Sequence, residues 1–249
     1  MGAPRVAIVI GGTSGIGHAT ARLLADQGSR VVIAGTRDEA AGREVAQELS
    51  RQGGDVHFAR VDVRDRPGVM AFVQDVADRY GRLDGAVNAA GIVGAAAPVA
   101  SYPEDGFADV FAVNVLGTLA CMQAELSVML PRHSGSIVNV ASLAGLRGFP
   151  FRAAYAASKH AVVGLTRTAA LETAKSQIRI NAVCPSFVDT PMIRQQVTDA
   201  QQWQWRQDFQ PIGRMGDPEE IAHGIVWLLS DAASFMTGAV IPMDGGASA

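Results

Sequence analysis

Tyr155 and Lys159 stand four residues apart in Tyr155-Ala156-Ala157-Ser158-Lys159. On a helix that spacing stacks them one turn apart on one face. A phenol ordinarily titrates at about pH 10 and exchanges protons poorly at neutrality. A neighbouring ammonium would stabilise the phenolate and lower that pKa, the tuning a general acid or base requires. Such pairs also occur with a purely structural role. Upstream, Ser142 closes the run Asn139-Val140-Ala141-Ser142. A serine at the carboxyl end of a strand points its hydroxyl into the crevice where open α/β sheets bind ligands, and there it can polarise a carbonyl oxygen. It would serve equally as a helix or turn cap. No GxSxG elbow and no Ser-His-Asp partnership accompanies it, so a hydrolase triad is not indicated.

A second chemical signal lies near the start. The apolar run at 6–10 is followed by Gly11-Gly12-Thr13-Ser14-Gly15-Ile16-Gly17 and then by a helical pattern. A backbone turning sharply beneath a pyrophosphate needs glycines, because side chains would hold the phosphate away from the amides. The helix that follows offers unpaired N–H groups and partial positive charge. The spacing is GxxxGxG rather than the more familiar GxGxxG. Gly11, Thr13, Ser14, Gly15, Ile16 and Gly17 are therefore expected at the phosphates of a dinucleotide, against the simpler reading of a tight loop. An acid about twenty residues further on would bind a ribose 2′-hydroxyl and repel a 2′-phosphate. In Ile33-Ala34-Gly35-Thr36-Arg37-Asp38 that place holds Gly35, while Thr36 and Arg37 would donate to a 2′-phosphate. NADP(H) is favoured, with NAD(H) the alternative if Arg37 is a solvated cation and Asp38 reads the ribose. Asp62, in Val61-Asp62-Val63, would accept from an adenine amino group or cap the next turn.

These residues need a scaffold, and the chain supplies one. Short, continuously apolar segments at 6–10, 30–34, 56–61, 83–88, 136–140, 179–183 and 239–242 read as strands covered on both faces. Amphipathic stretches at 16–27, 39–52, 66–80, 105–130, 153–174 and 218–230 read as helices between them. Such alternation means βαβ crossovers, a parallel sheet and an α/β fold. No linker or repeat divides the chain, so one domain over 1–249 is expected. The long segment 187–216, with Trp203, Trp205 and Phe209, breaks the rhythm and is expected to carry short helices as a lid.

Composition agrees. At 48% hydrophobic and 18% charged, the 249 residues bury a substantial core, unlike a disordered chain. A net charge of −3 does not attract a polyphosphate backbone, so nucleic acid is not an expected partner. No long uninterrupted apolar window and no signal-peptide pattern after Met1-Gly2-Ala3-Pro4-Arg5 appear. Cys121 and Cys184 form no CxxC, and His18, His57, His133, His160 and His223 share no ligand spacing, so no metal site is expected. A cytoplasmic protein without membrane contact is the expectation.

Taken in order, the motifs resemble those of the short-chain dehydrogenase/reductase family over nearly the whole chain. The carriers are the Gly11…Gly15-Ile16-Gly17 turn, Asn88-Ala89-Ala90-Gly91, Asn114, Ser142, Tyr155 with Lys159, and Asp244-Gly245-Gly246. The resemblance implies a single Rossmann-type, doubly wound domain with a seven-stranded parallel sheet. It implies hydride exchange between NAD(P)(H) and a ketone or secondary alcohol. Tyr155 would be the acid/base, Ser142 the carbonyl-orienting donor, and Lys159 the group that tunes Tyr155 and holds the nicotinamide ribose. Asn114 would help hold a relay water. Asn88, Ala89, Ala90 and Gly91 would line the adenine-ribose side, with Asp62 and Val63, while Pro185, Val188 and Thr190 would meet the nicotinamide end. A homotetramer with helices 105–130 and 153–174 at one interface is likewise implied.

Three positions depart from the family pattern: Ile10 replaces a usual Thr, Ser14 a basic residue common in NADP-dependent members, and Ser186 a Gly. The substrate pocket is expected among Val93, Leu143, Phe149, Phe187 and Met192, mostly apolar. Arg147 or Arg152 would greet an anionic substrate, unless both are surface cations. The rival function is a dinucleotide-sensing binding protein that lost the chemistry, though such a protein would typically lack Tyr155 or Lys159. Sugar epimerases of the extended family type carry a longer C-terminal part, which argues against that reading.

Overall fold

Val6–Ile10 is buried at every position in the computed structural model, which describes residues 3–51 and 53–249. Met1, Gly2 and Gln52, the last being the expected end of the second helix, lie outside the described residues. Alternate residues of this strand enter different cores: Val6, Ile8 and Ile10 on one face, Ala7 and Val9 on the other. A strand apolar on both sides must be covered on both, which suits a parallel sheet flanked by two helical layers.

Seven strands follow that rule: β1 (Val6–Ile10), β2 (Arg30–Gly35), β3 (Asp55–Arg60), β4 (Gly85–Asn88), β5 (Gly135–Val140), β6 (Ile178–Pro185) and β7 (Val240–Met243). Their spatial order is β3-β2-β1-β4-β5-β6-β7, and each neighbouring pair is parallel. The helices are α1 (Gly15–Asp26), α2 (Glu39–Ser50), α3 (Arg66–Tyr80), α4 (Glu104–Phe111), α5 (Thr118–Met129), α6 (Ala153–Thr173), α7 (Pro191–Arg194), α8 (Ala200–Asp208) and α9 (Pro218–Leu229). Helices α1, α2 and α9 cover one face, and α3, α5 and α6 the other. β4 starts later than expected because Asp84 caps its entry, accepting from Val6 N–H at 2.8 Å and pairing with Arg82. β6 runs on to Pro185, where it still pairs with Met243 of β7.

The helix expected over 105–130 is interrupted. Between α4 and α5 the residues Ala112–Gly117 are π-helical, and Leu130–Arg132 adds a tight 3₁₀ turn. A π-turn inserts one residue and turns a side chain out of register. Here it delivers Asn114 inward, where Oδ1 accepts from Ile92 N–H and Nδ2 donates to Ile92 C=O, both at 2.9 Å. The whole helical run Glu104–Arg132 has 29 residues and a mean hydropathy of 1.4 in its most apolar window, enough by length and composition to cross a bilayer. In this fold it packs against α3 and α6 and buries Asn114, Thr118 and Glu125, as a core helix does.

Segment 187–216 contains the short helices α7 and α8. Its ends are pinned together: Val188 bridges Gly216, Asp189 N–H donates to Gly216 C=O at 2.9 Å, and Gly216 N–H donates to Phe187 C=O at 3.0 Å.

A buried polar chain ties the central strands to the helices on one face. Asn88 Nδ2 donates to Glu125 Oε2 at 3.2 Å and to Asn139 Oδ1 at 2.9 Å; Asn139 Nδ2 donates to Thr166 Oγ1 at 2.9 Å. Glu125 is fully buried and its Oε1 has no partner, and burial pushes its carboxyl up to about 8. The folded state therefore keeps a proton that the unfolded chain releases above its ordinary carboxyl pKa. The resulting stabilisation is present at acidic pH and is lost as pH rises toward 8. Glu125→Gln should remove this dependence. Thermal melts should show the variant gaining on the parent by about 3 °C or more between pH 5 and 8, at about 2–4 °C per kcal/mol. A constant gap would mean Glu125 does not carry the buried proton.

Candidate active site

Chain order reverses between β1 and β4, and the crevice beyond their carboxyl ends is where open α/β sheets take ligands. Its floor is backbone on backbone. Gly11 leaves β1 at φ +84°, and a Cβ there would lie 2.6 Å from Ala90 N. A Cβ on Gly17 would lie 2.2 Å from Gly11 C=O, so the start of α1 rests directly on the turn before it. Ser14, the N-cap of α1, makes no side-chain cap, and the first turn has no acid. The first amides of α1 are thus left to an anion.

A cavity of about 480 Å³ runs from this turn across the sheet. Gly11, Thr13, Ser14, Gly15, Ile16 and Gly17 line one part, with Thr36, Asp62, Val63, Ala89, Ala90 and Gly91 beside them. Ser142, Tyr155, Lys159, Pro185, Val188, Thr190 and Met192 line the rest. Of these, Thr190 also caps α7 through Oγ1. Two elements bring these side chains together: Ser142 follows β5, and Tyr155 and Lys159 share one face of α6.

Several expected residues stand elsewhere. Asn88 does not line the cavity; its side chain turns into the core toward Glu125 and Asn139. Asn114 is likewise outside the lining, its amide committed to Ile92 and to Ser158 Oγ at 3.0 Å. Arg37 is exposed beside Thr36 and outside the lining, and Asp38 instead caps α2 by accepting from Ala41 N–H at 3.0 Å. Val93, Leu143, Phe149 and Phe187 do not line this cavity either. Leu143 is core, while Phe149 and Phe187 join Trp205 and Phe209 in an aromatic cluster. Both readings of Asp62 have a structural counterpart. It reaches the cavity, and it also closes its turn, accepting from Arg64 N–H at 3.0 Å and pairing with the Arg64 guanidinium.

Sequence reasoning missed Arg64, Asp109 and Val113, all of which line the cavity, as does Ser186, the residue noted above as a departure from the family pattern. Asp109 and Val113 lie on the helical run through α4, and their four-residue spacing is the one signal that could have linked them. Ser186, where the family has glycine, places an unpartnered buried hydroxyl in the wall.

Burial dominates the electrostatics. It pushes the Tyr155 phenol above its ordinary value, opposed by the Ser142 hydroxyl and the Arg152 charge. The lowering expected from Lys159 is not found: Nζ lies 5.7 Å from the Tyr155 ring centroid and donates to Val140 C=O at 2.8 Å. Burial also brings the ammonium down to about 8. Ser142 Oγ accepts from Ala144 N–H at 3.1 Å, which leaves its own proton to donate on the Tyr155 side of the cavity. A glycine cradle that any Cβ would fill, a helix start without an acid, and a buried ammonium together fit a nicotinamide dinucleotide. The Ser-Tyr pair beside it can polarise and protonate a carbonyl oxygen.

Comparison with known proteins agrees. Residues 11–248 match the family model described as enoyl-(acyl carrier protein) reductase. The chain is 43% identical to 2,5-dichloro-2,5-cyclohexadiene-1,4-diol dehydrogenase of Sphingobium indicum over 97% of this chain and 96% of that one. It is 40% identical to cis-4-hydroxycyclohexanecarboxylate dehydrogenase of Sinomonas cyclohexanicum, over 99% of this chain and 98% of that one. Among solved structures, a variant of actinorhodin polyketide ketoreductase with NADPH superposes with a TM-score of 0.93 at 36% identity, covering 98% of this chain and 97% of that one.

Because no side chain fits at Gly17, Gly17→Ala should displace the first turn of α1. Calorimetry should show ADP binding weakened by about tenfold or more, and melts a stability loss of about 1–3 kcal/mol from overpacking. Unchanged ADP affinity would take the anion site away from this turn.

Proposed function

The chain belongs to the short-chain dehydrogenase/reductase family, and from that premise we propose that it moves a hydride between NADP(H) and a ketone/secondary alcohol pair. The observation that carries this reading is the convergence of Ser142, Tyr155 and Lys159 on the cavity that the glycine turn opens into. A dinucleotide-sensing protein would have no use for Tyr155 and Lys159 together in that wall, so the enzymatic reading is preferred.

When bound, the dinucleotide supplies or accepts the hydride. The protein's own residues do the rest. Ser142 donates its hydroxyl hydrogen to the substrate oxygen and orients it. Tyr155 holds a proton on Oη at neutral pH, because burial keeps the phenol neutral, and gives it to the oxygen that gains charge as a ketone is reduced. In the opposite direction Tyr155 takes the alcohol proton as phenolate. Lys159, with its proton near release at about 8, anchors the ribose hydroxyls and offers the proton that restores Tyr155. Asn114 acts on Lys159 only indirectly, by fixing Ile92 and Ser158 around it.

Preference for NADP(H) over NAD(H) rests on the end of β2. No acid from that end faces the cavity, Asp38 is spent as a cap, and Thr36 and Arg37 remain to meet a 2′-phosphate. A solved relative is named with NADPH. The names of two relatives describe hydroxylated six-membered rings, which supports a cyclic alcohol or ketone as substrate class. The exposed Leu116 and Leu171 support a homotetramer with the α5 and α6 region at one interface, and the buried free thiols Cys121 and Cys184 fit a cytoplasmic setting.

Tyr155→Phe should cut ketone-dependent NADPH oxidation by about a hundredfold to ten-thousandfold, the range of general acid catalysis. NADPH affinity should stay nearly intact; an unchanged rate would remove Tyr155 from its role. Arg37→Ala should weaken NADPH by about fivefold or more with little effect on NADH, as loss of a charge-assisted contact would. Equal weakening of both in side-by-side titrations would mean Arg37 does not read the phosphate.

A further inference from the structure

Segment 187–216 contains a buried cation with no ion pair among the described residues. Among residues 187–216, Arg194 pairs with Asp189 and Arg214 with Glu220. Arg206 is 7% exposed and has no ion pair among the described residues. Its Nη1 donates to Gln202 C=O at 2.9 Å. Nε is sealed from solvent without a partner, and Nη2 makes no hydrogen bond among the described residues. Nε–H and Nη2–H form one edge of the guanidinium, the edge that takes a carboxylate in a two-pronged fashion. Leaving such an edge unmade in a buried setting is costly, so its retention calls for a ligand.

The surroundings say where that ligand would come from. The Arg206 guanidinium lies 5.5 Å from the Phe187 ring centroid and 5.8 Å from that of Trp205, within the aromatic cluster over the sheet ends. A second cation, Arg152, stands three residues before Tyr155 and is near enough for its charge to act on both Tyr155 and Arg206. Among the described residues Arg152 has only neutral partners: Gln196 Oε1 at 2.9 Å and Gly94 C=O at 3.4 Å. The acid that acts on Arg206, Asp199, is spent capping α8, where it accepts from Gln202 N–H at 2.9 Å and from Thr198 Oγ1 at 3.2 Å.

We propose that Arg206 and Arg152 form an anion subsite on the lid side of Tyr155, and that the substrate carries a carboxylate remote from the carbon that exchanges hydride. The proposal rests on the hydride-transfer reading for where the substrate sits. Arg206 would take the carboxylate at Nη2, the end of its unpaired edge that is not sealed from solvent, and Arg152 would add charge from the Tyr155 side.

Cyclohexanecarboxylate and cyclohexanecarboxamide share one shape and differ in charge, and neither has an alcohol to oxidise. Titrated into the NADP⁺-loaded protein and followed by calorimetry, the carboxylate should bind about tenfold or more tighter than the amide, with an advantage that shrinks in salt. Arg206→Met should erase that advantage, and Arg152→Gln should reduce it by about threefold or more, with thermal melts reporting whether each variant is folded. If Arg206→Met does not fold, Arg152→Gln, at a half-buried position, carries the test alone. Equal binding of the two probes by the parent protein, or undiminished preference in the folded variants, would overturn the proposal. The two readings fail separately. Selective carboxylate binding without turnover of any ketone would retire hydride transfer and keep the subsite. Turnover of neutral ketones without carboxylate preference would do the reverse.

Discussion

The site depends on one close approach: the backbone of Gly11 lies against Ala89 and Ala90, and Gly17 lies against Gly11. That contact sets how near β4's continuation comes to the first turn, and hence how α1 points its amides. It sits where the sheet order reverses, so the helix layers diverge on either side and leave the crevice open. The short apolar strands supply rigidity, but this contact supplies position. Everything that lines the cavity further along is placed relative to it through the parallel register of β1, β4 and β5.

Burial then decides the chemistry of the groups placed there. The same exclusion of water raises the Tyr155 phenol, lowers the Lys159 ammonium to about 8 and raises the Cys184 thiol beside it to about 11. A phenol that keeps its proton next to an ammonium ready to yield one is a pair biased toward donation. Opposing shifts on a neutral acid and a cationic acid come from one cause, the cost of holding charge away from water.

The strands were legible in the sequence because a fully covered strand writes itself as an unbroken apolar run. The glycine turn, Ser142, Tyr155 and Lys159 were legible because each needs a particular residue at a particular point of that frame. What escaped has a common cause: the orientation of a side chain is set by partners distant in sequence. Asn88 reads as a wall residue until Glu125, on α5, draws it inward. Arg64 carries no motif of its own, and only its pairing with Asp62 holds it at the cavity. Phe149 and Phe187 read as substrate wall, whereas the lid's Trp205 and Phe209 gather them into a cluster of their own. Periodicity over 105–130 could not reveal the π-helical stretch, since an inserted residue changes phase without changing composition.

That stretch restricts how the chain can drift. Each residue of a helix turns its successors by about 100°. Deleting one residue from Ala112–Gly117 would straighten the helix and rotate everything downstream. Glu125, now facing Asn88, would swing away from it, and Met122 and Met129 would leave the core they fill. Substitutions along α5 can be tried one at a time, but the surplus residue cannot be lost without undoing the core on the face of the sheet that α5 covers. Gaps in related chains should therefore fall in the loops around it and spare this helix.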